Sequence, residues 1–229
     1  MSKITKVYPL PAKPPQYPEA KVLVYIDGEK CSPIRERTWR AMGLQVGSEI
    51  TREELIEREK FHWKNEYKKA GGWEKEKVRL AAVKAYIENI DRRIEAKITG
   101  FGANSTEFIA EHPDEQGRPD IEVVLRHNQL VVLLVEVSGT ERMRGYTYWI
   151  RPDKIAYAIN HPNEDVWIIL HYAEPQQKFV FFKPQQGVNY PVITVDIRGS
   201  GERMAEIDDR SPGVVTEAGF RNHLLQRMA

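Results

Sequence analysis

The stretch from Arg118 to Ser138 constrains this chain more than any other. Ile121-Glu122-Val123-Val124-Leu125 and Leu130-Val131-Val132-Leu133-Leu134-Val135 are aliphatic runs separated by the turn-forming His127-Asn128-Gln129. Two such runs across a three-residue turn predict a β-hairpin. If Arg126 pairs with Leu130, Asp120 falls directly opposite Glu136, with the two Cβ atoms roughly 5 Å apart. Period-two alternation places Leu130, Val132, Leu134, Glu136 and Ser138 on one face, so that face changes from apolar to acidic at its far end. An ionised glutamate after an unbroken aliphatic run is costly to bury unless a cation or strong donors meet it. A strand end emerging into solvent explains Glu136 alone; the opposed Asp120 favours two carboxylates sharing one divalent metal.

The rest of the chain supplies a frame for that hairpin. Of 229 residues, 41% are hydrophobic and 29% charged, enough apolar material for one core of ordinary size and a small appended module. Lys and Arg number 34 against 33 for Asp and Glu, so a nucleic-acid contact has to come from a local patch and not from bulk charge. The single cysteine, Cys31, excludes an internal disulfide and a cysteine-cluster zinc site. His112, His127, His161 and His171 are scattered without a zinc-ligand spacing. No leader-like h-region and no membrane-length apolar run are present, so we expect a cytoplasmic protein with no membrane partner.

Four segments are expected. Residues 1–20, with Pro9, Pro11, Pro14, Pro15 and Pro18, read as a proline-rich arm. Residues 21–70 read as a small strand-hairpin-plus-helix module: Val22–Ile26 enters the Asp27-Gly28 turn, Cys31–Trp39 offers a return, and a helix from Thr51 to Lys69 starts with a capping box, Thr51 to Glu54. Residues 71–198 form the main core and 199–229 a polar loop, Gly199–Pro212, with a short helix, Thr216–Met228. In the core a helix from Trp73 to Asp91 carries Leu80, Val83, Ile87 and Ile90 at helical spacing. Strands are expected at Ile94–Thr99, Glu107–Ala110, Ile121–Leu125, Leu130–Val137, Val166–His171, Phe179–Phe182 and Val192–Ile197, with a helix at Pro152–Asn160. That order implies an α/β fold with a mixed central sheet flanked by helices.

Pro119-Asp120, a spacer of 15 residues and Glu136-Val137-Ser138 resemble the PD-(D/E)xK nuclease superfamily, which includes restriction endonucleases, archaeal Holliday-junction resolvases and nucleases of archaeal viruses. The resemblance spans residues 71–185 and carries the order helix, hairpin, helix, strand. It implies a restriction-endonuclease-like fold that hydrolyses DNA phosphodiesters, whether duplex or branched, in the cytoplasm of a cell or, for a viral protein, of its host. One or two Mg²⁺ (or Mn²⁺) ions would be held by Asp120, Glu136 and the Val137 carbonyl. A third carboxylate commonly comes from the preceding helix; Glu76 extends the Leu80, Val83, Ile87 stripe, whereas Glu74 lies on the neighbouring line. Two-strand cutting is easiest with two-fold symmetry, so a homodimer is expected.

The sequence departs from the motif at its third position, where Ser138 replaces lysine. Lys154, at the start of the helix after Arg151-Pro152, is the candidate replacement; alternatively Ser138 positions the water, or the fold binds DNA without cutting it. A regulatory protein with an incidental acidic pair is a further alternative. Between strand and helix, Arg142, Arg144, Tyr148 and Arg151 are candidate phosphate and base contacts; the alternative is that Tyr148 and Trp149 anchor into the core while the arginines are solvated.

Overall fold

A computed structural model describes residues 2–12, 20–31, 33–69, 71–99, 118–143, 145–197 and 200–229. The expected strand at Glu107–Ala110 lies outside the described residues. The chain divides into two compact units: one of residues 1–72 with 194–203, the other of 73–193 with 204–229.

In the first unit β1 (Ile4–Leu10) pairs antiparallel with β2 (Lys21–Ile26), which also carries β3 (Glu29–Lys30) and β4 (Ile34–Arg35). Residues 4–10 are therefore a strand and not part of a free arm. Ile4 is buried with Val22, Val24 and Ile26, and this apolar contact fixes a segment whose prolines alone favoured extended, unpaired chain. Asp27 and Gly28, at φ 49° and 85°, form the two-residue turn between β2 and β3, a geometry that suits a glycine in second place. The expected return strand at Cys31–Trp39 is mostly absent. After β4 the chain turns into α1 (Glu36–Met42), which ends at Gly43 in the left-handed region. The helix α2 (Arg52–Lys69) begins where the capping box places it, with the Glu54 N–H donating to Thr51 Oγ1 at 3.1 Å.

The second unit is built on a six-stranded mixed sheet. Its helix α3 (Gly72–Glu88) is followed by β5 (Ile94–Ile98), β6 (Ile121–Leu125), β7 (Val131–Ser138), β8 (Tyr148–Ile150), α4 (Pro152–Asn160), β9 (Val166–Tyr172) and β10 (Lys178–Phe182). Then come β11 (Val192–Ile197) and β12 (Ser200–Ile207), whose residues 194–203 count with the first unit, and β13 (Val214–Val215) and α5 (Glu217–Arg227) in the second. The sheet order is β13-β10-β9-β7-β6-β5, with β7 and β9 parallel and the other neighbours antiparallel. The parallel pair needs a crossover, and α4 supplies it.

Helices cover both faces. Leu80, Val83 and Ile87 of α3 and Phe220 and Leu224 of α5 pack with Ile121, Val123, Leu133, Val135 and Ile169. On the other face Ile155 of α4 joins Ile168, Leu170, Val180 and Phe182, with Tyr148 and Ile150 of β8 and Ala205 and Ile207 of β12. The expected loops at 139–151 and 199–212 thus contain strands: β12 pairs β8 at Ala205–Ile207 against Tyr148–Ile150. Their single apolar faces are short and interleaved with charged residues, which gave them a loop-like composition. Because Phe220 and Leu224 are fully buried, α5 is part of the second unit's core and not a separate tail.

Candidate metal centre

The hairpin reaches the expected register by a different route. The amide of Leu125 donates to the Leu130 carbonyl at 2.9 Å and that of Gln129 to the Leu125 carbonyl at 2.8 Å. The turn is therefore Arg126–Gln129 and not the three residues expected, with Gln129 at φ 59°. Val124 pairs with Val131, but Val123 pairs with Leu133, so Val132 is an extra residue that shifts the register by one. Beyond the bulge Glu122 faces Leu134 and Ile121 faces Val135, and the next position brings Asp120 against Glu136. Leu133, Val135 and Ile121 belong to the α3 side of the sheet. By alternation Asp120, Glu136 and Ser138 lie together on the opposite face, toward α4.

Three further contacts close the site. Asp120 Oδ2 accepts from the Val137 amide N–H at 2.8 Å. Lys154 Nζ donates to Glu136 Oε1, and at 3.2 Å to the Val137 carbonyl. The lysine reaches there because Pro152 opens α4 and sets the helix directly after β8, so that Lys154 is its third residue. Gly139 ends β7 at φ 102°, where a Cβ would stand 2.3 Å from the His171 carbonyl oxygen, so only glycine lets the chain leave the site beside β9.

Burial dominates the electrostatics. Glu136 is 7% exposed; its desolvation, and then the Asp120 carboxylate, push its pKa up to about 8 despite the Lys154 ammonium. Desolvation opposes the charge on Lys154, but the two carboxylates outweigh it and hold its pKa above the usual value. The Tyr157 phenol on α4 is raised by burial and by its bond to Glu164, with smaller effects from Arg118 and Glu136.

Asp120, Glu136 and the Val137 carbonyl form a set of hard oxygen donors on one face, suited to Mg²⁺ or Mn²⁺. Glu76 does not join them. Among the described residues no three His, Cys, Asp or Glu side chains form a metal-holding group. Glu76 sits on the α3 stripe that packs against the other face of the sheet, so the helical spacing that recommended it also takes it away. Glu74, on the neighbouring line of the same helix, is exposed. Ser138 shares the Glu136 face, but no hydrogen bond joins it to Asp120, Glu136 or Lys154.

Of the expected DNA contacts, Arg142 is largely exposed, 3.8 Å from Glu174, and Arg151 forks onto Asp153 at 3.0 and 2.5 Å. Arg144 lies outside the described residues. Tyr148 is not a surface group. It is fully buried in β8, where it donates to Asp209 and accepts from Lys178. The exposed ring of this segment is Tyr146, 91% exposed. Glu141 is tied down by the Ala173 and Glu174 amides donating to its carbonyl at 2.9 and 2.8 Å, and the Met143 amide donates to the Glu174 carbonyl at 3.2 Å.

Comparison with known proteins found no matching family model, no similar curated protein and no similar solved structure.

Proposed function

We propose that this chain is a Mg²⁺- or Mn²⁺-dependent DNA endonuclease of the PD-(D/E)xK type, acting on duplex or branched DNA as a homodimer. The observation that carries the reading is the convergence of Asp120, Glu136 and the Val137 carbonyl on one sheet face with the ammonium of Lys154 among them. Two carboxylates and a carbonyl provide the oxygen set that such an ion takes. When bound, the ion supplies Lewis-acid stabilisation of the phosphate and lowers the pKa of water.

The chain's own residues do the rest. The Val137 N–H fixes the Asp120 carboxylate, and burial among aliphatic residues fixes Glu136, so the oxygen geometry is preorganised. Lys154 replaces the lysine that Ser138 displaced from the strand, and presents positive charge beside the scissile phosphate. Arg142 and Tyr146 offer a phosphate contact and a stacking ring on the segment that leaves the site.

The second reading is a nuclease fold that binds DNA without cutting it, and Ser138 at the lysine position favours it. Incubating the protein with supercoiled plasmid and a synthetic four-way junction, each with Mg²⁺, Mn²⁺ or EDTA, separates the two. Metal-dependent nicking or resolution supports the first reading; retention of DNA without cleavage under all three conditions supports the second.

A further inference from the structure

We infer that Lys154 is the resident counter-ion of the metal centre, competing with a divalent cation for the same two oxygens, Glu136 Oε1 and the Val137 carbonyl. The inference rests on the proposed metal-dependent reading. It goes further in assigning the lysine two successive positions, first on the acidic pair and then, once a metal takes those oxygens, toward solvent and phosphate.

The geometry carries it. The ammonium bonds one of the two Glu136 carboxylate oxygens, Oε1, and, at 3.2 Å, the Val137 carbonyl. Asp120 Oδ2 accepts from the Val137 N–H. A divalent ion that took Glu136 Oε1 and the Val137 carbonyl would displace the ammonium that now holds both. Release is a side-chain movement alone. Lys154 sits in the first turn of a proline-started helix, its charge is a compact group with rotatable donors on a four-carbon stem, and its side chain is one-fifth exposed. Arg151, the N-cap residue of α4, is engaged with Asp153. Charge balance agrees: Asp120 and Glu136 carry two negative charges when ionised, which one ammonium half neutralises and one divalent ion neutralises fully.

The consequence is that removing Lys154 tightens metal binding even as it slows cleavage. The test is Mn²⁺ binding in the absence of DNA, read by paramagnetic resonance of the free ion, for the parental chain, Lys154→Met and Glu136→Gln. The expected result is measurable binding by the parent, at least tenfold tighter binding by Lys154→Met, and loss in Glu136→Gln. Parental binding with equal or weaker binding by Lys154→Met overturns the exchange while leaving the metal centre standing. Failure of both parent and Lys154→Met to bind millimolar Mn²⁺ overturns both. A second measurement needs no variant: acylation of lysines in the folded parent with EDTA or Ca²⁺, read by mass spectrometry. Lys154 should react several-fold faster with Ca²⁺, while Lys84, bonded to Glu88 and the Ala96 carbonyl, should not change. Equal Lys154 labelling under both conditions, at Ca²⁺ concentrations where binding is measured, also overturns the exchange.

Discussion

The Val137 amide donates to Asp120 Oδ2 at 2.8 Å while the Val137 carbonyl accepts from Lys154 at 3.2 Å, so one peptide segment links the acidic and the basic member of the site. Asp120→Asn keeps an acceptor oxygen for the Val137 N–H but removes the charge. We expect the variant to melt within a few degrees of the parent and to lose metal-dependent cleavage. Thermal melting and plasmid nicking on one preparation check both halves.

Glu136 makes the site a source of instability above neutral pH. Its folded pKa of about 8 lies above the ordinary 4.5, so between these values the folded protein binds more protons than the unfolded chain and stability falls as pH rises. The groups facing it are Asp120, Lys154 and Tyr157; Glu136→Gln leaves Lys154 with the Asp120 carboxylate as its remaining counter-charge. That variant should therefore gain several degrees in melting temperature over the parent at pH 8 and little at pH 5, since about 1 kcal/mol is worth roughly 2–4 °C in a chain of this size. A parent as stable as the variant at both pH values contradicts the assignment. Mg²⁺ at pH 8 should raise the melting temperature of the parent and not of the variant.

Lys154→Met keeps the stem and removes the charge. Preorganised positive charge in a partly dry site contributes on the order of 3 kcal/mol to the barrier, so single-turnover cleavage should fall about a hundredfold or more. Ser138→Ala should cut at close to the parental rate. The reverse pattern, a slow Ser138→Ala and a normal Lys154→Met, makes the serine the group that assists cleavage.

The two tyrosines of the 146–148 segment should separate cleanly. Tyr146→Ala removes an exposed ring and should weaken DNA binding by about tenfold, in line with stacking worth roughly 1–3 kcal/mol, without changing the melting temperature. Tyr148→Phe removes a buried hydroxyl that meets Asp209 and Lys178, and should lower stability by about 1 kcal/mol while leaving DNA affinity intact. A gel-shift series alongside melting curves checks the pair.

Much of the second unit was legible because its strands are long aliphatic runs and its helices carry apolar residues at helical spacing. Ile121–Leu125 and Pro152–Asn160 have the expected bounds, and the register at Ile121 and Val135, continued by one position, sets Asp120 against Glu136. That last agreement was partly fortunate: the turn is one residue longer than expected, and the extra residue at Val132 restores the register. A bulge inside an all-aliphatic strand leaves no mark in the sequence. Tyr148 and β12 were misplaced because strands whose few apolar residues lie among polar and charged neighbours owe their burial to distant partners. Glu76 was misplaced because helical spacing gives the face of a helix but not the face of the sheet it covers.

The most direct measurement is nicking of supercoiled plasmid by the parental chain and by Asp120→Asn and Glu136→Gln, purified identically and assayed with Mg²⁺. We predict nicking by the parent that EDTA abolishes, and none by either variant. Nicking at the same rate by all three proteins, or by the parent in EDTA, would contradict a metal centre built on these two carboxylates.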